Sequence, residues 1–201
     1  MSETVYAAID LGTNNCRLLV ARVKDGSFKI IDSFSRIVRL GEGLNQGNRL
    51  NEAAIMRTIE ALTVCAEKMQ ANGVEHSRSV ATEACRRATD SDAFYDRVKR
   101  ETGIQLETVT PEQEAQLTLD GCAQLLDDQT SQAIVFDIGG GSTELIWVAC
   151  STGGEPEVLG MLSLPVGVVT LSEQYSNGVV ERHHYEEIVD FVDEGLAPFD
   201  E

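Results

Sequence analysis

Ile134-Val135-Phe136-Asp137-Ile138-Gly139-Gly140-Gly141-Ser142-Thr143-Glu144-Leu145-Ile146-Trp147-Val148 reads as an apolar run closed by Asp-x-Gly, a small polar turn, and a second apolar run. Two apolar runs with a glycine-rich break predict two buried strands joined as a hairpin. The pattern also occurs 127 positions upstream, without a gap, as Ala7-Ala8-Ile9-Asp10-Leu11-Gly12-Thr13-Asn14-Asn15-Cys16-Arg17-Leu18-Leu19-Val20-Ala21. Glycine and small polar residues let a turn approach a ligand closely, and turn amides suit phosphate oxygens. One copy alone is explained as well by an ordinary hairpin. A second copy with aspartate in the same place favours phosphate.

Other phosphate and nucleophile motifs fail on inspection. No Gly-Lys pair exists for a Walker loop. Glu144 stands where a dinucleotide fingerprint begun at Gly139 needs glycine. The same glutamate stands two places after Ser142, where a nucleophile elbow also needs glycine.

Outward from the hairpins, strands are expected near 5–11, 16–23 and 28–40 as a meander, then a loop over Gly41-Glu42-Gly43-Leu44-Asn45-Gln46-Gly47-Asn48. Asn51 caps a helix with Ile55, Ile59, Leu62, Cys65, Ala66 and Met69 at helical spacing, ending at Asn72-Gly73. A strand over 78–81, a helix entered through Ala81-Thr82-Glu83-Ala84-Cys85-Arg86-Arg87-Ala88, a helix over 92–102 and a strand over 105–109 follow. Thr110-Pro111-Glu112-Gln113 carries cap, first-turn proline and capping-box glutamine, with Glu114 in the first turn. After the second hairpin come a strand over 157–164, a helix from about 169, a break near Asn177-Gly178 and a helix over 184–196. This order predicts two copies of one α/β unit, 1–128 and an unfinished 129–201.

At 201 residues and 42% hydrophobic content the chain can bury a substantial core. Residues 1–100 carry 15 Lys and Arg against 13 Asp and Glu; residues 101–201 carry Arg182 alone against 20. A long polyanion such as DNA is repelled by the second half. An anionic substrate must be held by first-half arginines, backbone amides and a divalent cation. Cys16, Cys65, Cys85, Cys122 and Cys150 are odd in number and contain no Cys-x-x-Cys, so reduced packing residues are expected. His76, His183 and His184 lack metal-ligand spacing. No apolar run is long enough for a membrane span and no basic region precedes Val5, which predicts a cytoplasmic protein.

Asp10-Leu11-Gly12-Thr13-Asn14-Asn15-Cys16-Arg17, Arg39-Leu40-Gly41-Glu42-Gly43-Leu44, Ala81-Thr82-Glu83-Ala84-Cys85-Arg86, Pro111-Glu112-Gln113-Glu114-Ala115 and Asp137-Ile138-Gly139-Gly140-Gly141-Ser142-Thr143-Glu144-Leu145 together resemble the exopolyphosphatase and guanosine pentaphosphate phosphohydrolase family, Ppx/GppA. Five motifs in order, from Val5 to about Leu171, make the resemblance specific. It implies an α/β, actin-like (ribonuclease H-like) fold of duplicated domains with mixed sheets flanked by helices, the second domain incomplete at Glu201. It also implies a magnesium-dependent phosphohydrolase acting on inorganic polyphosphate or guanosine pentaphosphate, homodimeric at full length. Serines are commoner where Thr13 and Asn15 stand, and arginine where Gln116 stands, departures that bear on substrate preference.

The resemblance assigns Glu114 as general base, with Asp137 and Arg86 in the catalytic set. Asp137 and Glu144 hold or orient magnesium, assisted by Asp10. The amides of Gly12, Thr13, Asn14 and Asn15 and of Gly139, Gly140, Gly141, Ser142 and Thr143 clamp phosphates from two sides, with Arg17 and Arg86 as the cations. Each residue also has a plainer reading. Glu114 can serve the helix dipole, Arg17 and Arg86 can form surface pairs, and Glu144 can face solvent. Asp10 and Asp137, closing apolar strands, each require a partner. An ATP-using kinase or ATPase of the same superfold and a phosphate-binding regulator without turnover stand as alternatives. Glu114 argues against the latter.

Overall fold

The computed structural model describes residues 3–24, 27–126, 130–150, 155–175 and 181–199. The chain forms two compact units, Met1–Val109 and Thr110–Glu201. The division falls ahead of the expected 128/129 boundary because the helix opened by Thr110 packs on the second sheet.

In the first unit, β1 (Thr4–Leu11), β2 (Asn15–Lys24), β3 (Ser27–Ile37), β4 (His76–Ala81) and β5 (Glu107–Thr108) form one sheet in the order β3-β2-β1-β4-β5. β1, β2 and β3 are antiparallel, whereas β4 runs parallel to β1 and β5 to β4. This mixed sheet with flanking helices agrees with the anticipated α/β unit. Alternation places Val5, Ala7, Ile9 and Leu11 of β1 and Cys16, Leu18 and Val20 of β2 in the core. α1 (Glu52–Ala71) covers that core with Ala54, Ile55, Ile59, Ala61, Leu62 and Cys65. Its Asn51 cap accepts from the Ala53 amide at 2.8 Å, and Gly73 leaves the helix with φ +64°. The long crossover through α1 makes the parallel β1–β4 pairing accessible. α2 (Glu83–Arg87) and α3 (Ser91–Thr102) follow β4.

β5 is shorter than expected. Ile104, Leu106 and Val109 are buried, but pairing to β4 is confined to Val80 with Glu107 and Ala81 with Thr108.

In the second unit, α4 (Pro111–Cys122) precedes β6 (Gln132–Ile138), β7 (Thr143–Ala149) and β8 (Glu157–Leu164), an antiparallel sheet in that order. α5 (Val168–Tyr175) and α6 (Arg182–Leu196) come last. The expected break at Asn177-Gly178 and part of the expected 127–131 boundary lie outside the described residues. Ala115 and Leu119 of α4 meet Ile146 and Val148 of β7, with Ala133 and Val135 of β6 packed against them. The opposite face leaves Ile134, Phe136 and Ile138 exposed. No described helix is long and apolar enough to cross a membrane.

Candidate functional site

The two hairpins have the same register. In the first, Asp10 opposes Arg17 and Leu11 opposes Cys16; in the second, Asp137 opposes Glu144 and Ile138 opposes Thr143. Gly12 N–H donates to the Asn15 carbonyl at 2.8 Å, and Gly139 N–H to the Ser142 carbonyl at 2.8 Å. Each hairpin thus ends in a two-residue turn, Thr13-Asn14 and Gly140-Gly141.

Each turn is gripped from behind by the segment that follows the third strand. Val38 and Arg39 amides donate to the Asn14 carbonyl at 2.8 and 3.0 Å, and the Gly41 amide to the Thr13 carbonyl at 3.0 Å. In the second unit the Val168 amide donates to the Gly139 carbonyl at 3.0 Å, and the Val169 and Thr170 amides to Gly140 at 2.8 and 3.3 Å. Amides that a helix N-terminus leaves unsatisfied here hold turn carbonyls, so α5 is fastened to the glycine turn. Thr143 Oγ1 adds a bond to the Val166 carbonyl at 2.7 Å. Carbonyls are consumed on the inner side, while among the described residues the amides of Thr13, Asn14, Gly140 and Gly141 donate to no protein acceptor. Turns of this kind present N–H groups to an anion.

These straps require two glycines. A Cβ on Gly41 would collide with the Thr13 side chain, and one on Gly167 would lie 2.5 Å from Gly140 C and 2.6 Å from the Gly139 and Gly140 carbonyl oxygens. Sequence reasoning placed Gly41 in a loop without linking it to the turn, and gave Gly167 no role. The signal was available, since a glycine follows Thr13 by 28 positions and Gly140 by 27.

The pairs flanking the turns differ in charge. In the first hairpin Arg17 and Asp10 approach to 3.8 Å, with side chains 61% and 47% exposed. In the second, two carboxylates are cross-strand neighbours on one face, an arrangement that repels without a counter-charge. Glu144 is buried to 1% exposure, so it does not face solvent. Ser163 Oγ donates to Glu144 Oε1 at 3.0 Å, a partner that sequence reasoning did not find. Asp137 is exposed and Asp10 half-exposed, which corrects the expectation that a strand-closing aspartate is desolvated.

α4 places Glu114. The Thr110 side chain accepts from the Gln113 amide at 3.2 Å, and Gln113 Oε1 accepts from the Thr110 amide at 2.9 Å, so the expected capping box is complete. Thr118 Oγ1 reaches Asp137 Oδ2 at 3.5 Å. Residues four apart share a helix face, which sets half-buried Glu114 one turn from Thr118 on the side that meets Asp137.

In the first unit, Arg86 is held rather than solvated. Its side chain is 14% exposed, pairs with Glu83 at 3.1 Å and donates to the carbonyl of Val109, the residue before the α4 cap, at 3.0 Å.

Among the described residues no group of three His, Cys, Asp or Glu is arranged to hold a metal ion. Magnesium needs no such cage, since it is commonly bound by one or two carboxylates together with substrate phosphates. The Asp137–Glu144 pair fits that requirement. The sole Lys or Arg of the second unit, Arg182, pairs with Glu186 at 3.1 Å.

A model described as the Ppx/GppA phosphatase family matches residues 19–200. The chain is 34% identical over 198 residues to a guanosine-5'-triphosphate,3'-diphosphate pyrophosphatase of Vibrio vulnificus (strain YJ016), covering 98% of this chain and 39% of that protein. The crystal structure of the Aquifex aeolicus Ppx/GppA family member superposes with a TM-score of 0.76 at 34% identity, covering 98% of this chain and 63% of that one. An exopolyphosphatase from Cytophaga hutchinsonii ATCC 33406 shares the fold at a TM-score of 0.88 and 24% identity, over 98% and 62% of the two chains. This chain therefore spans less than half of the Vibrio protein and less than two thirds of the solved relatives.

Proposed function

Since the chain belongs to the Ppx/GppA phosphatase family, we propose that it carries the phosphate turns and reacting carboxylates of a phosphohydrolase that removes the terminal phosphate of guanosine pentaphosphate, inorganic polyphosphate or both. The name of the Vibrio relative favours guanosine pentaphosphate. The observation that carries the reading is the Thr118–Asp137 contact, which aligns the α4 face bearing Glu114 with the acidic strand pair.

In this reaction Glu114 accepts a proton from water as the water oxygen bonds to the terminal phosphorus. The bridging P–O bond breaks, and its electrons leave on the departing phosphate oxygen. Phosphoryl transfer draws its acceleration chiefly from positioning and charge stabilisation, to which the amides of Thr13 and Asn14 in the first unit and those of Gly140 and Gly141 in the second are each assigned. Arg86, fixed by Glu83 and the Val109 carbonyl, is assigned to the phosphate being transferred. Asp137 and Glu144 are the residues that would hold magnesium, which neutralises phosphate charge when bound. Asp10, already facing Arg17, assists at the first turn.

The test is phosphate release from both substrates with magnesium, comparing the complete protein with its Glu114→Gln variant. Loss of a general base lowers turnover by about 10²–10⁴, with substrate binding retained. Equal rates overturn the assignment.

A further inference from the structure

Arg39 has a left-handed backbone, φ +50°, a conformation that side chains other than glycine rarely adopt. The segment around it enforces this. Its amide donates to the Asn14 carbonyl at 3.0 Å, and its carbonyl accepts from the Glu42 amide at 3.1 Å. Arg57 Nε locks the neighbouring Val38 carbonyl at 2.9 Å and pairs with Glu42. Strain of this kind persists where the surroundings over-determine it and clusters at ligand clamps. Glycine would satisfy the backbone at no steric cost, so an arginine here points to a use for its side chain.

The charge of that side chain is uncommitted. Among the described residues, twelve of the sixteen Lys and Arg side chains pair with carboxylates, and Arg39 is not one of them. Nearby Arg36 lies over the Phe34 ring at 5.2 Å. Arg39 is exposed and stays unpaired in a protein of net charge -17. The adjoining turn holds a second unfilled group, since Thr13 is 5% exposed and its Oγ1 is buried without a hydrogen-bond partner among the described residues. A buried hydroxyl in that condition calls for a ligand or water. The corresponding strap of the second unit, Val166 to Thr170, contains no cation.

We propose that Arg39 is a substrate-binding cation that holds a phosphate group of an oligophosphate chain at the Thr13-Asn14 turn, beside the turn amides and Thr13 Oγ1. The inference deepens the phosphohydrolase reading and rests on it. A solvated surface arginine would account for the exposure but not for the strained backbone.

The experiment measures binding of inorganic tripolyphosphate, with magnesium, to the 201-residue chain by calorimetry, alongside thermal unfolding. Arg39→Gly is expected to weaken binding about tenfold or more, the range for a charge-assisted hydrogen bond, while its unfolding temperature does not fall, because glycine relieves the left-handed strain. Arg39→Lys keeps the charge and is expected to retain most of the affinity. Undiminished binding by Arg39→Gly overturns the role of Arg39 and leaves the family reading intact. Loss of both binding and stability in that variant marks a structural prop and also overturns it. Absence of tripolyphosphate binding by the unaltered chain removes the phosphate reading of the turn, and the proposal with it.

Discussion

Ser163 and Glu144 are cross-strand partners, and the serine hydroxyl donates to the buried carboxylate at 3.0 Å. Charge-assisted hydrogen bonds of this type fix a carboxylate's rotamer as well as offsetting part of its desolvation. Ser163→Ala is expected to destabilise the second unit by about 1–3 kcal/mol and to raise the magnesium concentration needed for half-maximal phosphate release. Urea unfolding and a magnesium titration of activity check the two effects; an unchanged titration would detach Ser163 from the acidic pair.

Gly167→Ala forces a methyl group against the Gly139–Gly140 backbone, where all three near contacts are main-chain atoms. Overpacking of this kind costs about 1–3 kcal/mol, and relief requires displacing the turn from the Val168 and Val169 amides. Gly121→Ala is the control, since its Cβ would meet nothing within 4 Å and the position lies within α4. That substitution is expected to stabilise by up to about 1 kcal/mol. Equal melting behaviour of the two variants would contradict the fastening of α5 to the turn.

Thr110→Ala removes one half of the capping box at the start of α4. A stability loss of about 1 kcal/mol is expected. Because α4 carries Glu114, turnover of the complete protein should fall more than substrate affinity. A fall in affinity alone would place Thr110 in substrate binding.

Burial pushes the Cys85 thiol up to about 11. The folded value lies above the unfolded one, so the stabilisation associated with Cys85 is fully present below about pH 8.5 and is lost as pH rises toward 11. At pH 8 the thiol stays protonated, and iodoacetamide should alkylate partly exposed Cys122 and Cys150 well before Cys16, Cys65 and Cys85. Mass spectrometry of the native protein checks the order; early modification of Cys85 would contradict it.

Much of the fold was legible because its signals are local. The 127-residue repeat predicted two hairpins that share one register, and the Asn51 and Thr110 signatures predicted α1 and α4 at their observed starts. β5 was over-extended because apolar alternation at Ile104, Leu106 and Val109 reports burial, whereas strand length depends on how far β4 can pair. The site was legible in its ends and not in its supports. Asp137, Glu144 and Glu114 stand within motifs, but Thr118 and Ser163 act through contacts that join separate elements, and no single segment encodes them. Burial was misjudged for the same reason. Glu144 lies beneath neighbouring elements, while Asp137, its direct partner, stays open.

The straps behind the two turns also bear on behaviour in concentrated electrolyte. Ions screen the attraction between exposed charges, but a hydrogen bond from a fixed main-chain N–H loses little to them. A ligand held mostly by such donors should keep its grip as ionic strength rises, with only the share owed to arginine falling away. On the phosphohydrolase reading proposed above, the second half of this chain would hold an anion while being almost devoid of positive charge.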